Sequence, residues 1–213
     1  MIALLAAASA AFLALSPADR NALSACSVDA DALQAYLEME QGAFDQDLDG
    51  GWRAVSSRDG CEDGAGVLIS AYIQFSVPKP PEAHRILRWH AGQVFAGVDR
   101  TDRALAFFAG SYEVGPGAQG DDWDQYVDAT IAFLQRDRDG LQAARNRLAA
   151  MAPSTEEIAE KRAYFEANPD VAAMFPNWRE MIAKPQNIDV VDGLIACFDK
   201  PYREAYGGSC RGR

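Results

Sequence analysis

Apolar residues return every three or four positions along most of this chain, and no run alternates apolar and polar residues in the way a half-buried strand requires. The clearest pattern lies between His84 and Pro116. From about Pro81 to Gly97, the residues Ile86, Leu87, His90, Ala91, Val94 and Phe95 share one helical face. From about Thr101 to Tyr112 a second stripe is formed by Ala104, Leu105, Phe107, Phe108 and Tyr112. Asp99 and Thr101 offer side-chain oxygens to the orphan donors of that second helix, and the break at Gly97-Val98-Asp99-Arg100 is short enough to force an antiparallel hairpin.

A second hairpin is predicted beyond Gly115-Pro116-Gly117 and an acidic cap at Asp121 and Asp122. Tyr126, Val127, Thr130, Ile131 and Leu134 line a helix from Trp123 to Gln135, and Leu141, Ala144 and Leu148 line its partner from Asp139 to Met151. Ala144 and Leu148 echo Ala104 and Phe108 at a distance of 40 residues. Upstream, Asp29 or Asp31 caps a helix carrying Leu33, Tyr36 and Leu37; Trp52 to Ser57 forms a short helix, and Cys61 to Phe75 a longer one with Val67, Leu68, Ala71 and Tyr72 inward. Val77-Pro78-Lys79-Pro80-Pro81 cannot continue a helix. Downstream, Ser154 or Thr155 with Glu157 or Glu156 starts a charged helix that Asn168-Pro169 breaks, and a last helix spans Asn187 to Phe198 with Val190, Val191, Leu194 and Ile195.

The first hairpin resembles a tetratricopeptide repeat, a helix-turn-helix unit of about 34 residues. The small residue and aromatic of that repeat's first helix match Gly92 and Phe95, those of its second match Ala104 and Phe108, and Pro116 falls where the repeat's proline ends the unit. Arg88, beside Trp89, stands where tryptophan is usual, and Ser111 where alanine is usual. The resemblance implies an all-α fold, a short irregular stack of antiparallel helical hairpins in the manner of a tetratricopeptide-like α-solenoid, that binds a protein or peptide through its inner face. Trp89, His90 and Gln93 on one first helix, with Tyr126, Thr130, Phe133 and Arg136 on the next, are the candidate partner-binding residues.

The apolar run from Met1 to Leu15 has the length of a signal-peptide core, although no basic residue precedes it. Cleavage after Ala18 is one expectation. Leu23-Ser24-Ala25-Cys26, which resembles a bacterial lipobox, is another, with cleavage between residues 25 and 26, a lipidated Cys26 and hence a membrane anchor. Asp19, Arg20 and Asn21 interrupt that alternative, so plain secretion to the periplasm or the medium is expected, with residues 27–213 forming a single helical domain. The chain is also similar to exported bacterial proteins, a likeness that bears on compartment alone. The four cysteines of an exported chain invite disulfides, with Cys197 to Cys210 across a short loop and therefore Cys26 to Cys61.

One local motif invites chemistry. In Phe44-Asp45-Gln46-Asp47-Leu48-Asp49-Gly50-Gly51-Trp52, alternating Asp45, Asp47 and Asp49 followed by glycine resemble the opening of an EF-hand calcium loop. The closing glutamate is replaced by Ser56, and Trp52 occupies a position that is usually aliphatic. The stretch therefore reads better as a polar inter-helix loop than as a tight metal site. No nucleophile elbow, phosphate-cradling glycine loop or paired-cysteine zinc spacing is present, and no cofactor is implied. An all-helical hydrolase assembled from distant residues is the alternative that leaves no such motif. A net charge of −11 disfavours nucleic acid as a partner, because its binding depends on clustered lysine and arginine.

Overall fold

The computed structural model describes residues 10–76, 84–117 and 122–211; the first nine residues of the apolar N-terminal run, the proline-rich connector and part of the glycine-rich loop lie outside them. Every regular element among the described residues is helical, and none is long and apolar enough to cross a membrane. The chain divides into two compact units, Met1–Ser111 and Tyr112–Arg213.

The first unit contains α1 (Pro17–Ala25), α2 (Ala30–Leu37), α3 (Gln41–Asp45), α4 (Gly51–Ser56), α5 (Glu62–Phe75), α6 (Arg85–Gly97) and α7 (Thr101–Ala109). Helix α5 is its centre and packs against α1, α2, α4 and α6. Close approach explains two glycines inside these helices. A Cβ on Gly66 would sit 2.8 Å from the Phe95 ring, and one on Gly92 would sit 2.7 Å from the Phe108 ring. The fully buried Leu23, Leu33, Phe44, Leu68, Tyr72, Leu87, Phe95 and Phe108 fill the interior. Cys26 is bonded to Cys61 and fastens the end of α1 to the start of α5.

The second unit contains α8 (Asp122–Leu134), α9 (Arg138–Ala149), α10 (Thr155–Ala167), α11 (Pro169–Met174), α12 (Trp178–Met181), α13 (Ile188–Ala196) and α14 (Tyr202–Tyr206). Helix α13 packs across α8 and α9 and carries α14 on its other contacts. Tyr126, Val127, Phe133, Leu141, Leu148, Val191 and Leu194 form the core, and Cys197 is bonded to Cys210. The Ser154–Glu157 capping box is present: Glu157 N donates to Ser154 Oγ at 3.2 Å, and Ser154 N donates to Glu157 Oε2 at 2.7 Å.

The turns of the two hairpins have the same construction. Asp99 and Arg136 both sit in the left-handed region, at φ 59° each. The following amides reach back to close the turn, Arg100 N to Phe95 O and Asp137 N to Ala132 O, each at 2.9 Å. Ser27, at φ 57°, repeats the device after α1, with Val28 N donating to Leu23 O at 3.0 Å. Asp99 therefore ends α6 and does not cap α7, whose start has no side-chain cap from Thr101 either. Asp137 caps α9 by accepting from Gly140 N at 2.9 Å. These turns stand 37 positions apart, so Trp89 corresponds to Tyr126 and Gly92 to Ala129, while Ala104 and Phe108, with Ala144 and Leu148 that echo them at 40 positions, are all fully buried.

Candidate functional site

The polar cluster richest in chemistry lies in the first unit, where the aspartate motif meets α6. Asp45 ends the short helix α3, and the loop after it turns back so that α4 begins at Gly51. Gly51 has φ +50°, and a Cβ there would fall 1.9 Å from the Phe44 carbonyl oxygen. Only glycine permits a left-handed residue pressed that closely on the preceding helix. The tight return lays Trp52 and Arg53 over Asp45.

Asp45 is 2% exposed. Its Oδ1 accepts from Trp52 Nε1 at 2.9 Å and lies 2.7 Å from His90 Nδ1; its Oδ2 accepts from Gln46 Nε2 at 2.6 Å. Burial pushes the carboxyl upward, but the hydrogen bond and charge of His90, with the bonds from Trp52 and Gln46, outweigh it and hold Asp45 below its ordinary value. An ionised carboxylate only accepts, so His90 Nδ1 carries a proton and Nε2 faces away from the pair. Arg53 Nη1 stands 3.8 Å from Oδ1, and its guanidinium lies over the Trp52 ring at 4.2 Å. Beneath the cluster, Phe44 stacks on Tyr72 with ring centres 3.9 Å apart, and the Tyr72 hydroxyl donates to Met39 O at 2.7 Å. Burial pushes the Tyr72 phenol up, and Glu40 and Asp45 add to it.

The three aspartates of the calcium-like motif are thus dispersed. Asp45 points inward, Asp47 accepts from Asp49 N at 3.0 Å, and Asp47 and Asp49 are exposed. No group of three or more metal-ligating side chains forms among the described residues. The motif works as an Asx-type turn with one buried anchor.

The partner-binding candidates fall into two sorts. Trp89, Tyr126, Thr130 and Phe133 are buried. Trp89 lies against Phe108 at 4.6 Å, Phe133 against Phe198 at 5.9 Å, and Thr130 Oγ1 donates to Tyr126 O at 3.0 Å. Tyr126 packs beside Trp123 and Tyr206, and burial first, then Tyr202 and Tyr206, pushes its phenol well up. His90 and Gln93 are half-buried, with His90 engaged by Asp45, whereas Arg136 is exposed with Nη1 donating to Phe198 O. Asp45 and His90 are brought together across 45 positions.

Sequence patterning also passed over Asp124. This fully buried carboxylate accepts three consecutive backbone amides, Glu113 N at 2.7 Å, Val114 N at 2.9 Å and Gly115 N at 2.8 Å. Asp128, one helical turn on, accepts from the Tyr112 hydroxyl at 2.7 Å, Gly117 N at 3.0 Å and Arg147 Nη2 at 2.8 Å. The i, i+4 spacing of two aspartates at the start of α8 was the available signal.

Comparison with protein-family models, with curated proteins and with solved structures finds no match to the chain.

The surface supplies one further feature. Helix α10 has no buried residue, and neither has α11. Phe165 stacks on Trp178 at 4.8 Å and holds the segment 155–182 together, while Tyr164, Met174, Phe175 and Met181 remain exposed, Met174 at 68%. Four of the seven exposed large hydrophobic side chains among the described residues thus fall in this segment.

Proposed function

We propose that this protein is an exported helical scaffold that binds a protein or peptide partner, and that the segment 155–182 is its contact surface. The observation that carries the reading is that Tyr164, Met174, Phe175 and Met181 are all exposed within this one segment, the first two on helices with no buried residue. Large apolar side chains left exposed on a helical segment are stabilised when a partner covers them. Exposed Glu156, Glu157, Glu160 and Glu166 on α10 outnumber the exposed Lys161 and Arg162 there, and within a chain of net charge −11 this favours a partner segment that is apolar and basic. The two disulfides fit an oxidising compartment, which supports export.

This placement moves the contact surface from the inner face of the hairpins to the C-terminal segment. Trp89, Tyr126, Thr130 and Phe133 serve as packing within their own units, so a partner has little of them to touch. Photo-crosslinking tests the proposal. A photoreactive residue at position 164 or 174 is expected to give a discrete adduct in the cell envelope, and one at exposed Leu48 none. Adducts of equal yield at all three positions would overturn it.

A further inference from the structure

Arg53 is an arginine whose donors are unspent. Its guanidinium makes no hydrogen bond to any described residue, and Nη1 is buried without a partner. The 3.8 Å separation from Asp45 Oδ1 is charge proximity, too long for a hydrogen bond. The guanidinium carbon lies 4.2 Å from the Trp52 ring centre, and with 22% of the side chain exposed, an approaching group reaches it at Nε and Nη2, which are not closed off as Nη1 is. His90 lies at the same indole, with ring centres 5.8 Å apart, and at the same Asp45 oxygen. Its Nδ1 is committed to Asp45, and with 18% of the side chain exposed, Nε2 is its remaining polar atom.

Asp45 brings negative charge into this cluster, but Trp52, Gln46 and His90 already satisfy it. What stays unanswered is an acceptor for Arg53. A planar, two-oxygen anion matches the parallel Nε and Nη2 donors of the guanidinium, and His90 Nε2 donates to the same anion in the imidazolium form. We propose that Arg53 and His90 form a carboxylate-binding site, with Trp52 as its floor and Asp45 as the group that positions both. The site belongs to the first unit and is independent of the partner segment. The carboxylate is that of a free small acid or of a peptide terminus.

The test uses the full purified chain with isotope-labelled side chains, following the Trp52 indole and His90 imidazole signals by NMR, the indole assigned through Trp52→Phe. Sodium acetate is expected to shift both signals saturably, while acetamide and sodium chloride at equal ionic strength do not. Arg53→Gln is expected to weaken acetate at least tenfold, and Arg53→Lys, which keeps the charge but loses the fork, to weaken it several-fold. Acetyl-glycine binding more tightly than acetate assigns the site to a peptide terminus, and equal binding assigns it to a free acid. Shifts that chloride reproduces, or that persist in a folded Arg53→Gln protein, would overturn the proposal.

Discussion

Nδ1 of His90 stands 2.7 Å from Oδ1 of Asp45, joining the middle of α6 to the end of α3 through a carboxylate that is 2% exposed. Replacing Asp45 by asparagine keeps the shape and removes the charge that three donors address. The loss is expected to be about 2–3 kcal/mol in urea unfolding, the range for hydrogen bonds to a charged group. In a double-mutant cycle with His90→Gln, the two changes are expected to be strongly non-additive.

The same pair sets a pH dependence. Asp45 is held below its ordinary value of 3.8, so the folded state keeps the carboxylate ionised where the unfolded state protonates it. Its contribution is fully present above that ordinary value and is lost as pH falls through the lower, folded one. Wild-type stability is expected to drop more steeply than that of Asp45→Asn on acidification below about pH 4, measured by urea melts at stepped pH.

Two glycines in the same stretch should answer oppositely to alanine. At Gly51 the left-handed backbone and the 1.9 Å approach to Phe44 O make alanine cost about 3 kcal/mol or more, combining backbone strain with overpacking. Gly42 has nothing within 4 Å and lies inside α3, so Gly42→Ala is expected to stabilise by about 0.5–1 kcal/mol. Thermal melts of both variants decide the contrast.

Much of the helical content was legible in the sequence because amphipathic periodicity reports which face is buried. Gly97 ends α6 as the sequence suggests, and Ser154 with Glu157 starts α10 as a capping box. The short helices α3, α11 and α14 were not, since five or six residues carry too few turns to show a period. The contact between Asp45 and His90 was not legible either. The motif around Asp45 had a local resemblance, to a calcium loop, whereas its partner lies 45 positions away, and sequence spacing carries no information about contacts at that range. Trp89 and Tyr126 were aromatic residues at helical spacing, a pattern that a binding face and a core produce alike.

Asp124 holds the 113–115 backbone by three amides. Asp124→Ala orphans them, and a loss of about 3 kcal/mol is expected, with fast hydrogen exchange at Glu113, Val114 and Gly115. Asp124→Asn, which can still accept, should lose less. Unchanged exchange in the alanine variant would count against the clamp.

The two disulfides close loops of different length, 35 residues for Cys26 with Cys61 and 13 for Cys197 with Cys210. Loop-closure entropy gives contributions of about 4 and about 3 kcal/mol. Paired Cys→Ala substitutions are therefore expected to place the larger loss in the first unit, which urea unfolding of each variant measures.

The proposed partner surface is tested most directly by hydroxyl-radical footprinting of the protein in a cell-envelope extract and in buffer. Met174 and Leu48 are both exposed, in the segment 155–182 and in the turn after Asp45 respectively. Protection of Met174 in the extract, with Leu48 unchanged, is the expected result. Equal labelling of Met174 in extract and buffer would contradict the assignment of the segment as a partner surface.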